Sequence, residues 1–144
     1  MTVVLALRKN DDRITAKAIQ WWTNSIYSHC ELIVNGLCYS SSPMDGGVRA
    51  KTITMTSDKW DFIELRWAHA EAIQQYFKDT DRHKYGWSGL VFNQLFNLNR
   101  SPDKSQFCSQ WCAAAIGLPN PASYSPATLG ALCGFVDSKL QLAT

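Results

Sequence analysis

Apolar and polar positions alternate along this chain with two periods, one suited to strands and one to helices. Residues 3–7, Val-Val-Leu-Ala-Leu, form a continuous apolar run of the length of a buried strand. Asn10-Asp11-Asp12 then offers helix-capping side chains. Ile14, Ala18, Trp21 and Trp22 follow at helical spacing, and Thr23-Asn24-Ser25 closes that segment. Residues 28–34 and 37–42 flank Asn35-Gly36. A type I′ turn needs positive φ at both central positions, so this dipeptide predicts a two-residue hairpin and fixes its register. Val34 is set opposite Leu37, Ile33 opposite Cys38, Glu31 opposite Ser40, and His29 opposite Ser42. Alternation places Cys30, Leu32, Val34, Leu37, Tyr39 and Ser41 on one face, which reads as core. His29, Glu31, Ile33, Cys38, Ser40 and Ser42 share the other, where an imidazole, a carboxylate and hydroxyls gather.

Residues 43–47 read as a turn, and 48–55 and 61–65 as further strands. Helical spacing returns over 68–78 and 88–98, with a polar loop over 97–104. A helix over 107–116 stops near Gly117. Ser125-Pro126 is a cap followed by proline at the first helical position, and 127–132 continues that last helix. Strands followed by helices predict an α+β fold in one domain, residues 1–144, whose first half is an antiparallel meander.

Composition narrows the function. A length of 144 residues, with 46% hydrophobic and 18% charged positions, is that of an ordinary globular domain. The net charge is +2 without a basic stripe, which argues against a nucleic-acid partner. No apolar run is long enough to span a bilayer, and the start shows neither the basic region nor the cleavage site of a secretory signal. A cytoplasmic, reducing setting is therefore expected, with the five cysteines as thiols.

Two residues carry the candidate chemistry. Cys108 sits where the polar loop becomes a helix, in Phe107-Cys108-Ser109-Gln110-Trp111. Free N–H groups and the helix dipole stabilise a thiolate there and can receive an oxyanion. Cys112 and Cys133 read as core. Of the three histidines, His69 lies in a helical stretch and His83 in a charged loop. His29 is mounted on a strand, a rigid support for a base. Ser40, Ser42 and Glu31 are all placed to orient its ring, and the sequence leaves that choice open. A zinc site built from His29, Cys38, Cys108 and Cys112 is the rival reading, but the close ligand pairs of such sites, as in Cys-x-x-Cys, are missing. No metal or other cofactor is expected.

Five segments together resemble a known family: Ser28-His29-Cys30-Glu31-Leu32, Asp45-Gly46-Gly47-Val48-Arg49, Lys84-Tyr85-Gly86-Trp87-Ser88-Gly89, Phe107-Cys108-Ser109-Gln110-Trp111 and Tyr124-Ser125-Pro126-Ala127-Thr128-Leu129. They are similar to the circularly permuted branch of the NlpC/P60 papain-like superfamily, which includes the lecithin:retinol acyltransferase-like proteins. Histidine before cysteine is the permuted order. The chain also resembles small proteins of this type encoded by tailed bacteriophages. The resemblance implies a papain-like fold, with Cys108 as nucleophile and His29 as base. It implies Ser40 at the third polar position and Tyr85 as a cleft tyrosine. Glu31, Ser42 and Ser109 are the remaining residues expected to face substrate. The implied activity is cleavage of an amide bond through a thioacyl intermediate, with cell-wall peptide among the substrates implied, acting from the host cytoplasm or a virion. Lipid acyl transfer or thioester hydrolysis by the same pair is an alternative, as is a non-catalytic binding module.

Overall fold

A computed structural model describes residues 1–9, 26–42, 45–81 and 105–143, the last stretch with side chains from 108 onward. The helices expected over 14–22 and 88–98, together with His83 and Tyr85, lie outside the described residues. Among these residues the fold is α+β, with a five-stranded antiparallel sheet and three α-helices.

The strands are β1 (Val3–Lys9), β2 (Tyr27–Val34), β3 (Leu37–Ser42), β4 (Gly47–Lys51) and β5 (Trp60–Glu64), in the order β4-β3-β2-β1-β5. The first four form the expected meander. β5 departs from it by returning to the far side of β1, with Leu5 opposite Ile63. β4 ends at Lys51, so the strand expected to run to residue 55 is shorter.

The β2–β3 turn has the backbone its sequence demands, with φ of 51° at Asn35 and 76° at Gly36. Leu32 pairs with Tyr39, Ile33 with Cys38 and Val34 with Leu37, the register expected from the turn. Val3, Leu5, Leu7, Cys30, Leu32, Val34 and Tyr39 join one buried cluster, as alternation predicts for the apolar face.

Three helices complete that core: α1 (Ala70–Thr80), α2 (Ser105–Ala115) and α3 (Pro126–Ala143). Ile73 of α1, Trp111 and Cys112 of α2, and Leu129 and Cys133 of α3 are all buried in it. The Trp111 indole N–H donates to Thr80 Oγ1 at 2.9 Å, which satisfies its one polar atom inside the core. α3 begins as its sequence implies. Ser125 accepts from the Thr128 N–H at 3.2 Å, and Thr128 Oγ1 accepts from the Ser125 N–H at 2.8 Å, a reciprocal cap ahead of Pro126. Gly130 lets α3 settle onto β1, because a Cβ there would lie 2.6 Å from Leu7 Cδ1. α2 lies against β2 and β3, which brings its first turn to the hairpin.

Candidate active site

The hairpin and the start of α2 bring Cys108 and His29 together. The two side chains are hydrogen-bonded to one another. His29 follows an irregularity in β2. Arg8 pairs with His29, Lys9 with Tyr27, and the register shifts between them. A bulge of this kind re-aims the side chains beside it.

Glu31 is the residue that orients the imidazole. Its carboxylate receives His29 Nε2 at 2.6 Å. With Nε2 so occupied, Nδ1 is the ring nitrogen left for the thiol. Glu31 is itself fully buried. Its charge is met by Arg49 of β4, whose guanidinium grips both carboxylate oxygens: Nη1 to Oε2 at 2.5 Å, and Nη2 to Oε1. Arg49 Nε donates to Asp45 Oδ2 at 2.8 Å, and Lys51 Nζ reaches the same oxygen at 2.7 Å. The result is a row of alternating charge from Cys108 through His29, Glu31, Arg49 and Asp45 to Lys51.

Burial opposes a thiolate at Cys108. A hydrogen bond from Cys30, the charge of His29 and the hydrogen bond to that ring outweigh it and bring the thiol down to about 5. Burial likewise opposes the imidazolium of His29. The Cys108 thiolate and then the Glu31 carboxylate prevail and lift it to about 10. For Glu31, burial favours the neutral acid, but hydrogen bonds from Arg49 and His29 and their charges hold it below the usual carboxylate value. Each partner thus favours the charged form of the other, thiolate beside imidazolium. The sulfur is sealed, Cys108 being 1% exposed, and the pair meets solvent through His29, whose side chain is 20% exposed.

Several expected roles move. Ser40 is fully buried and donates its hydroxyl to the Cys30 carbonyl at 2.8 Å, so it does not orient His29. Glu31 takes that role from the same strand as the imidazole and is not free to face substrate. Ser109, also fully buried, donates to the Tyr124 carbonyl at 2.6 Å and ties α2 to the segment before α3. A hydroxyl committed in this way does not present itself to a substrate. Ser42 lies half-buried at the end of β3, paired with Gly47. α2 starts at Ser105, earlier than expected, so Cys108 is its fourth residue and the free N–H groups of the helix lie before it.

Arg49 escaped the sequence reading as a site residue. The hairpin turn fixed the β2–β3 register only, and the β3–β4 pairing that sets Arg49 beside Ser40 was not readable from it. Among the described residues no group of three or more His, Cys, Asp or Glu side chains is arranged to hold a metal ion. No helix among them is long and apolar enough to cross a membrane. No family model matches the chain, and neither a curated protein nor a solved structure does.

Proposed function

We propose that this protein is a papain-like thiol hydrolase that cleaves an amide bond, with Cys108 as nucleophile and His29 as its acid–base partner. One observation carries the reading: buried Cys108 is hydrogen-bonded to the strand-mounted His29, whose ring is held in turn by the buried Glu31 carboxylate at 2.6 Å. The thiolate attacks the carbonyl carbon, and the imidazolium protonates the departing amine. A thioacyl enzyme remains, and His29 then takes a proton from the water that releases it. The resemblance of the sequence to the permuted NlpC/P60 branch supports a peptide substrate, including cell-wall peptide fragments. Transfer of a lipid acyl group uses the same first step and differs in the acceptor.

The burial of Cys108 favours a second reading, a binding module on this fold in which the charged pair serves the structure alone. One experiment separates the two. Iodoacetamide labelling of Cys108 is followed by peptide mass against pH. The hydrolase reading expects a rate that rises through about pH 5. It also expects His29→Ala to lower the rate at pH 7 by about 100-fold, as the sulfur returns to an ordinary thiol. Labelling of Cys108 no faster than the other thiols at pH 7 sinks the enzyme. Incubation with muropeptides, amides and lipid thioesters, read as an acyl mass on Cys108, then identifies the donor.

A further inference from the structure

The charged row does not end at the carboxylate that touches His29. Glu31 is completely enclosed, and a carboxylate in that position is unstable as an anion unless it is paired and hydrogen-bonded. The imidazole supplies one contact, and Arg49 supplies two in a fork that matches the carboxylate plane. Continued from Ile33–Cys38, the β2–β3 register sets Ser40 next to Glu31, and Ser40 pairs with Arg49 on its other side. Arg49 thus reaches its partner across a strand whose intervening side chain is small and turned to the Cys30 carbonyl. Asp45 anchors the remaining guanidinium nitrogen, so the fork itself is fixed.

Resting on the Cys108–His29 pair as the reactive one, we propose that Arg49 is a positioning residue: its guanidinium holds Glu31 as a charged, immobile acceptor, and Glu31 holds the His29 ring with its other nitrogen toward the thiol. Arg49 touches neither the sulfur nor the imidazole. It acts through one carboxylate, and a lysine cannot replace it because an ammonium lacks the fork. The groups facing Glu31 are His29 on its own strand, Arg49 from β4, and the Cys38 thiol of β3, whose own proton is held more tightly by burial and by the Glu31 charge. From β1, Ala6 is its cross-strand neighbour, and Arg8 is that of His29. Cys108 of α2 acts on it through His29.

Cys108 labelling against pH tests this in Arg49→Met, Arg49→Lys, Glu31→Gln and the double variant Glu31→Gln/Arg49→Met, with near-UV circular dichroism to confirm the fold. Removing an opposite charge this close raises a carboxyl pKa by about one to three units. Arg49→Met is therefore expected to move the acid limb of the labelling curve up by about one pH unit or more and to lower the rate at pH 5 about fivefold or more. Adding Arg49→Met to Glu31→Gln is expected to move the limb no further, because the carboxylate through which Arg49 acts is already gone. Arg49→Lys keeps the charge. Its limb should stay near wild type, while the plateau rate falls several-fold. A folded Arg49→Met with the wild-type limb overturns the proposal, as does a second, additive shift in the double variant. If Arg49→Met does not fold, Arg49→Lys decides: a full wild-type plateau rate overturns the proposal, and a reduced one supports it. A wild-type Cys108 that labels like an ordinary thiol is a different outcome, and it removes the hydrolase reading together with this one.

Discussion

Cys108 and Cys133 are buried in the same apolar cluster and hold their protons in opposite ways. Burial, and then the charge of Cys112, push the Cys133 thiol up to about 12. Cys108 suffers the same burial, yet Cys30 and His29 bring it down to about 5. Cys133 sits on α3 with Leu129 one turn before it and Gly130 settled on Leu7. Cys108 sits where the hairpin delivers a charged ring into the same core. Burial alone therefore does not decide the state of a sulfur here. It amplifies whatever partner is present, because a medium poor in water screens little.

The comparison can be broken from the charged side first. Glu31→Ala leaves Arg49, 12% exposed at its side chain, with Asp45 alone and its two terminal nitrogens without their acceptor. Breaking a buried pair in this way costs about 3–5 kcal/mol. Urea denaturation should show that loss, and one below about 1 kcal/mol would mean that solvent already screens the row. From the apolar side, Leu129→Ala opens a cavity beside Cys133 and is expected to cost about 2–5 kcal/mol. It should leave the acid limb of Cys108 labelling where it was, and a limb that moves would merge the two regions into one.

Smallest and broadest is the pH dependence of stability. The depressed thiol of Cys108 contributes stability present above the ordinary thiol value and lost as pH falls through about 5. The raised imidazole of His29 contributes stability present below the ordinary imidazole value and lost as pH rises through about 10. Melting temperature should therefore fall at both ends of that window. Replacing His29 by Ala should flatten both declines, whereas Cys133→Ala should leave them in place.

Much of this arrangement was legible in the sequence, and the reasons differ by residue. Asn35-Gly36 admits so few backbone shapes that turn, register and the apolar face of the hairpin followed from two letters. Ser125-Pro126 marked the start of α3 because proline tolerates the first helical position and serine caps it. The pairing of β5 with β1 was not legible, because strand order depends on which edge remains free after the meander forms. The choice among Ser40, Ser42 and Glu31 was equally hidden. It turned on the Cys30 carbonyl, which claims the Ser40 hydroxyl, and on Arg49, which makes it tolerable to bury Glu31 as an anion. Ser109 was expected to face substrate. Its hydroxyl is instead spent on Tyr124, a partner fixed by how α2 meets the segment before α3.

The strand β2 stands in the middle of the sheet, with two strands on either side. His29, Cys30 and Glu31 are therefore carried by a central strand, paired there with Arg8, Leu7 and Ala6 of β1. Amide exchange at these positions should follow the slow, cooperative opening of the whole unit rather than fraying. The ring and its carboxylate thus stand two residues apart on one central strand, so their spacing does not depend on fraying at either edge of the sheet.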